Sequence, residues 1–574
     1  MKYPRLIDCL KMFSQERLYE HLGEDLVEQL LSEWENNELL TKKRLAELII
    51  QINGLDILKK STFRYEVLKH MKANEIECLY NELPSNRTKT CNTLEEKAKT
   101  IANIPWGPSE TNLKLLEILG VSAKLFDPII TDDTAIVSHQ SGKRFFELLD
   151  YQFIIKQRIL NELNKDFPLK RMLIHMPTGT GKTKTSMHTI VHYFNFTLKK
   201  KGSIIWLAHT TELLQQAYET FADVWSHLGD GQVNTYKLWG KKNLPSSNKE
   251  LNGIIFCGIQ KLQSVRQSQP ELFRQINENT RLIVFDEAHK ALAKETRGLV
   301  EAFMCTPPGY CDRSLIGLTA TPGRTTLTSD ENKLLSNMFE NRLIGINVGI
   351  VNQVNMSQDT YLNHTNEENV FKYFQNAHIL AKIKKEQLSY DEQFTPEQLS
   401  QIKTKMLENG YVDFNKTALE IIGKKRSRNK AIITKLRELS INQIPTIVFA
   451  CSVDHAKLIS FMLSIEDIPN AVVIGEMNTV DRAEAIASFK DRENQINILI
   501  NYEVLTTGFD STNIKCVFIT RPTQSIVLYS QMLGRGLRGP KMGGNEECLL
   551  IDIKDNLGQY DANLAFNHFD AYWS

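Results

Sequence analysis

Nowhere in this 574-residue chain do two cysteines form a C-x-x-C pair. The nine cysteines (Cys9, Cys78, Cys91, Cys257, Cys305, Cys311, Cys451, Cys516 and Cys548) are odd in number and widely scattered, and several lie in apolar runs. That argues against a zinc site and for buried, reduced thiols in a cytoplasmic protein. No uninterrupted apolar run is long enough to span a bilayer, so no membrane partner is expected. The start, Met1-Lys-Tyr-Pro-Arg5, lacks the apolar core of a signal peptide. Excess charge is absent too, with a formal net charge of +1. Such a total neither demands nor excludes a nucleic-acid partner, because a local basic track can hide in it. What remains, 42% hydrophobic and 24% charged, is ordinary for a soluble globular protein. A chain this long is expected to form three or four domains.

Residues 1–135 read as a helical accessory domain. Leu22, Leu26, Val27, Leu30 and Leu31 recur at helical spacing with Glu24, Glu28 and Glu33 between them, and Leu45, Leu48, Ile49 and Ile52 form a second such pattern. Gly54 and Leu83-Pro-Ser-Asn-Arg87 read as breaks. No catalytic constellation occurs there. Tyr80 and Trp106 could stack on bases, but isolated aromatics are more often core. Residues 136–345 change character. Apolar runs at 172–176, 203–208, 253–257, 282–285 and 315–318 alternate with helical text, the signature of an α/β unit with a parallel sheet covered on both faces. In residues 346–435 the strand signal fades into a polar helical linker or insertion. Thr395 before Pro396 reads as a helix start. The basic run Lys424–Lys430 reads as a solvated helix face or, less favoured, a phosphate-backbone contact. In residues 436–574, runs at 446–450, 471–474, 496–500, 516–519 and 548–551 mark a second α/β unit.

Three stretches carry chemistry. In Arg171-Met-Leu-Ile-His-Met-Pro-Thr-Gly-Thr-Gly-Lys-Thr183 a short apolar run ends in a Gly-rich turn. Gly179 and Gly181 let backbone N–H groups face phosphate oxygens. Lys182 can reach the β and γ phosphates, Thr183 can ligate Mg²⁺, and the helix that follows directs its N-terminus at the anion. Met176 stands where the strict phosphate-loop pattern has its first Gly. About a hundred residues on, Arg281-Leu-Ile-Val-Phe-Asp-Glu-Ala-His289 ends a strand in adjacent carboxylates. ATP hydrolysis needs one carboxylate near Mg²⁺ and one to orient the attacking water, which Asp286 and Glu287 can supply. The third is Gln531-Met-Leu-Gly-Arg-Gly-Leu-Arg538. On a helix, Gln531, Arg535 and Arg538 share one face, so the two guanidiniums would meet the γ-phosphate from the second unit. Gly534 and Gly536 would be poor choices for an ordinary solvated helix.

Asp286-Glu-Ala-His289 resembles motif II of the superfamily-2 DEAD/DEAH-box helicases and translocases, and the other signatures follow in order. Leu149-Asp-Tyr-Gln152 is similar to the upstream glutamine motif. Residues 206–215 and 258–263 resemble strand-contacting motifs. Leu318-Thr-Ala-Thr-Pro322 resembles motif III, residues 447–456 motif IV, Leu505-Thr-Thr-Gly-Phe-Asp510 motif V and residues 531–538 motif VI. The resemblance covers roughly residues 145–345 and 436–555. It implies two tandem RecA-like domains with ATP–Mg²⁺ in the cleft and a nucleic-acid strand across the top. It implies that Gln152 reads adenine and that Pro177, Thr178, Gly179, Thr180, Gly181, Lys182 and Thr183 hold the phosphates. Gly508, Asp510 and Gln531 would complete the nucleotide site, while His289, Thr319, Thr321 and Asp510 would couple it to the strand. The wording of the second half is nearest to bacterial RadD-type DNA-repair ATPases, then to type III restriction and UvrB-like motors. The N-terminal helical region and the lack of a Cys-rich terminal module depart from the RadD pattern. DNA is thereby favoured over RNA, in repair, restriction or phage defence, with residues 1–135 offered to a protein partner. Two alternatives stand beside this: a scaffold subunit that uses ATP only as a clamp, and an RNA helicase.

Overall fold

The computed structural model describes residues 3–23, 27, 40–83, 91–122, 126, 135–140, 147–165, 170–240, 242–244, 251–288, 290, 294–304, 313–320, 335, 337–346, 367–406, 412–475, 477, 479–491, 496–506, 509, 511–555 and 557. The first sheet is built from β1 (Ile136–Gln140), β2 (Lys170–His175), β3 (Ser203–Ala208), β4 (Gln232–Leu238), β5 (Gly253–Gly258), β6 (Thr280–Asp286), β7 (Ser314–Thr319) and β8 (Leu343–Ile344). Its order is β1-β4-β5-β3-β6-β7-β2-β8, parallel except for the antiparallel pair β1–β4. The five strands expected from apolar runs are present. β1 and β8 escaped the sequence reading because they are short edge strands. β4 escaped it because Gln232, Asn234, Thr235 and Lys237 interrupt its apolar pattern. Lys237 is nonetheless buried, its ammonium 4.0 Å above the Tyr218 ring, where a cation on an aromatic face keeps a favourable partner.

The second sheet, order β13-β14-β12-β15-β16-β9, is wholly parallel. It uses β12 (Thr446–Phe449), β13 (Asn470–Val473), β14 (Ile498–Asn501), β15 (Cys516–Ile519) and β16 (Glu547–Ile553). Its sixth strand, β9 (Lys382–Leu388), comes from the stretch read as a helical linker. Lys-Ile-Lys-Lys-Glu-Gln-Leu is an edge-strand composition, in which charge on the open side discourages pairing with another chain, and it hides the strand. The linker stretch also forms the hairpin β10 (Thr404–Met406) with β11 (Val412–Phe414), and helices at Glu367–Asn376, Pro396–Gln401, Lys416–Gly423 and Arg426–Ile441. Thr395 caps the second of these, its hydroxyl accepting from Gln398 N at 3.2 Å. Both sheets have helices packed against them, so the chain holds two tandem RecA-like domains.

The N-terminal region is helical, and among its described residues Leu45, Leu48 and Ile49 are buried on the helix Lys42–Asn53. The stretch expected as a helix around Leu26–Leu31 lies outside the described residues, apart from Val27. Its core runs without a break into that of the second RecA-like domain. Gln51 Nε2 donates to Ser460 Oγ at 3.0 Å, Ser464 Oγ donates to Gln51 Oε1 at 3.0 Å, and Arg44 Nη2 pairs with Asp467 at 2.8 Å. Trp106 lies under the Arg64 guanidinium at 5.2 Å, the core role already favoured. The basic run is only partly the solvated face expected of it. Arg428 is fully buried and bonds Asp555 at 2.6 and 2.9 Å, and Lys425 is buried against Glu392 at 3.2 Å. Its other three cations, Lys424, Arg426 and Lys430, face solvent. Five of the seven described cysteines are buried, and all seven are free thiols. No helix among the described residues is long and apolar enough to cross a membrane.

Candidate active site

β2 delivers the chain into the phosphate loop at the C-terminal edge of the first sheet. Met176 is fully buried, and its N–H donates to Thr319 O at 3.1 Å. An apolar residue there anchors the loop to the neighbouring strand, a different job from that of a loop-opening Gly. Thr180 folds its hydroxyl onto Pro177 O at 2.7 Å, and Gly179 and Gly181 take φ of +86° and +79°. The helix Lys182–His192 starts at Gly181, so its free N–H groups face the loop's interior. A Cβ on Gly181 would run into Gln152 Nε2, which makes glycine necessary for space as well as for φ.

β6 brings the acids to the same edge. Lys182 Nζ lies 3.7 Å from Asp286 Oδ1 and 3.5 Å from Glu287 Oε1, with all three side chains at least 86% buried. Burial pulls the Lys182 ammonium down, but Glu287 and Asp286 outweigh it and hold its pKa above the ordinary value. Burial pushes the Asp286 carboxyl up to about 6, against the opposing pull of Lys182. Glu287 sits at φ +56°, a conformation that costs a non-glycine residue and persists where surroundings impose it. Gln152 Oε1 accepts from Leu149 N at 3.0 Å, and its Nε2 donates to Thr180 O at 3.0 Å, so the expected adenine reader also grips the phosphate loop. Thr319 ends β7 beside this loop. His289, Thr321, Gly508 and Asp510 lie outside the described residues.

The second domain meets the loop directly. A methyl group on Gly534 would strike Thr178, and one on Gly179 would touch Leu380. Here the helical reading of residues 531–538 needs correction. The helix Ile526–Leu533 stops before both arginines, and Gly534 and Gly536 form a turn. Gly536 has no room for a Cβ against Cys548 and Val517. The glycines are there for close packing, so Arg535 and Arg538 are placed by a turn and by an isolated bridge from Arg538 to Leu380. Arg535 Nη2 donates to Thr506 O at 3.0 Å and Nη1 to Phe509 O, and its charge is felt by Lys182 across the cleft. The Gln531 amide nitrogen is buried without a hydrogen-bond partner among the described residues.

Two family models match these two halves. The type III restriction enzyme res subunit model matches residues 145–324, and the helicase conserved C-terminal domain model matches residues 427–539. The chain belongs to helicase superfamily 2. It is similar to "Putative ATP-dependent helicase IRC3" of Saccharomyces cerevisiae, 24% identical over 418 residues, 71% of this chain and 51% of that protein. It is also similar to the type I restriction enzyme EcoAI endonuclease subunit of Escherichia coli, 22% identical over 446 residues, 74% of this chain and 48% of that protein. The chain thus spans about half the length of these curated relatives. A solved structure of S. cerevisiae Dbp5 bound to RNA and ADP BeF3 is similar at TM-score 0.46 and 16% identity, over 80% of this chain and 93% of that one.

For a superfamily-2 member the donor set fits a nucleotide with its metal. Thr183 and Asp286 offer the hard oxygen donors Mg²⁺ prefers, and the Gly179–Gly181 turn leaves the space that side chains would fill. Two contributors escaped the sequence reading. Tyr151 donates its hydroxyl to Thr180 O at 2.6 Å, bracing the loop beside Gln152. His175 Nε2 contacts Ala320 O at 3.1 Å, tying the strand before the phosphate loop to motif III. A phenol adjoining the glutamine was a visible signal for the first. A lone histidine at a strand end was none for the second.

Proposed function

We propose that the chain is a nucleic-acid-dependent ATPase that translocates on or unwinds DNA, in repair, restriction or phage defence. One observation carries this: the buried Lys182–Asp286–Glu287 cluster of one domain lies within electrostatic reach of Arg535 of the other, and the Gly534 turn packs on Thr178. Pro177–Thr183 hold the phosphates and Gln152 the adenine. Thr183 and Asp286 would hold Mg²⁺, which would supply neutralisation of the phosphates' charge when bound. Glu287 orients the attacking water. Arg535 and Arg538 offset the charge that develops on the transferred phosphoryl group. Gln531, with Gly508 and Asp510, lines the second-domain side, and the orphaned Gln531 amide has a donor to offer there. Closure of the second domain then depends on the nucleotide. His289, Thr319, Thr321 and Asp510 pass that dependence to a strand gripped by its backbone. The restriction-subunit family model and the EcoAI similarity support DNA over RNA. Phosphate release measured with single-stranded DNA, duplex, forked DNA and RNA tests the proposal. Stimulation by a DNA form is expected, and stimulation by RNA alone makes it an RNA helicase. Turnover that no nucleic acid alters refutes the motor and leaves the ATP-clamped scaffold, with residues 1–135 as its partner surface.

A further inference from the structure

The hairpin β10–β11 belongs to the inserted stretch and pairs with neither large sheet. One of its side chains nevertheless reaches the C-terminal edge of the second sheet. Asp413, on β11, is fully buried, and its Oδ2 accepts from Arg521 Nη2 at 3.1 Å. Its other oxygen accepts from Gln524 N at 3.2 Å. Arg521 follows β15 and is itself buried. Its second amino group, Nη1, donates to Glu503 Oε1 at 2.9 Å. Glu503 follows β14 and holds φ at +58°. Its carbonyl accepts from Thr506 Oγ1 at 2.8 Å, and Thr506 O in turn accepts from Arg535 Nη2 at 3.0 Å. An unbroken series of bonds therefore joins the hairpin to Arg535, whose charge acts on Lys182.

We infer that Arg521 is a positioning residue through which the inserted hairpin sets the place of Arg535 in the ATP cleft. Two features separate this from an ordinary buried ion pair. Asp413 alone would satisfy a structural arginine, yet the fork spends its other arm on Glu503, whose side chain is 56% exposed. An exposed carboxylate returns little stability, so that bond acts mainly on where the loop lies. The residue it holds is also one whose left-handed backbone other contacts must impose. A planar, two-armed guanidinium holds both carboxylates at once, and a single ammonium would do so less well. A displacement of β11 relative to β14 and β15 then moves the carbonyl that fixes Arg535, and ATP turnover becomes sensitive to whatever loads the hairpin.

The inference deepens the ATPase reading and rests on it. Its test uses the full chain with Glu503→Gln, Asp413→Asn, Arg521→Gln and Arg521→Lys. Glu503→Gln should lower DNA-stimulated kcat about three- to tenfold, with KM for ATP and the unfolding midpoint unchanged. Asp413→Asn should do the same and also lower the midpoint. The double variant should cost little more than either single one, because both act on one path. Arg521→Lys should recover part of the loss seen in Arg521→Gln. Hydrogen exchange at the amides of residues 503–506 should quicken in Glu503→Gln and Asp413→Asn, while that of β12 stays as in the parent. Unchanged exchange at 503–506 overturns the inference, as does a Glu503→Gln kcat within twofold of the parent. A parent protein without nucleic-acid-stimulated turnover refutes the ATPase reading instead, and exchange still decides this one.

Discussion

Two buried charge clusters sit at corresponding sheets of the two domains, and they differ in how tightly they are satisfied. In the second, Arg428 and Asp555 are sealed from solvent and bond at 2.6 and 2.9 Å, with Tyr390 OH on Asp555 at 3.0 Å and the Thr520 carbonyl also on Arg428 Nη2, while Nη1 has no hydrogen-bond partner among the described residues. In the first, Lys182 stands off from Asp286 and Glu287 at 3.7 and 3.5 Å, the Asp286 carboxyl is raised to about 6, and Glu287 adopts a costly φ. A cluster that only holds a fold together gains from short, direct bonds between its charges. A cluster left loose has room to exchange partners, which a site that must admit phosphates and a cation requires. The contrast separates chemistry from scaffolding without reference to any relative.

The largest expected effect falls on the loose cluster. Lys182→Ala and Glu287→Gln should each cut stimulated turnover by at least about a hundredfold, as loss of a transition-state contact does, with unfolding midpoints near the parent's. Comparable loss of turnover from Arg428 variants would erase the distinction. Arg428→Ala should instead destabilise the chain by about 3–5 kcal/mol, because it strands the buried Asp555 charge. The joint replacement Arg428→Met with Asp555→Leu should restore most of that in urea unfolding. Next comes the cleft itself. Gly534→Ala is tolerated by its backbone φ of −55° but drives a methyl into Thr178. Turnover should fall about tenfold, an overpacking cost of roughly 1–3 kcal/mol, and Thr178→Ala should rescue it. No loss of turnover is expected from Asp552, whose carboxyl burial pushes up to about 8 and whose effect is read in stability alone. The folded chain keeps that proton after the unfolded chain has released its own, so stability falls as pH rises from about 4 to 8 and levels above. Asp552→Asn has no such proton, and its advantage over the parent should widen across that window. Parallel urea midpoints at pH 5, 7 and 9 would contradict the assignment.

What the sequence showed followed from how local the physics was. β3 and β15 lie within a residue of their apolar runs because both faces of each are buried. The phosphate loop and Asp286-Glu287 were legible because backbone space and paired acids are written in consecutive residues. β9 was hidden by the charges an edge strand carries. The run Lys424–Lys430 looked like one surface, yet Arg428 meets a partner 127 residues away that no spacing could reveal. The arginine turn misled for a related reason. Gly534 and Gly536 answer to Thr178, Cys548 and Val517, which come from three other segments. Periodicity could only read that stretch as a helix.

The central claim is that residues of both RecA-like domains form one ATP site that nucleic acid stimulates. Steady-state phosphate release by the full chain, with and without duplex and single-stranded DNA, tests it most directly when Arg535→Ala is run beside the parent. DNA should stimulate the parent, and Arg535→Ala should lose turnover while still binding ATP. Stimulated turnover that persists in Arg535→Ala would contradict it.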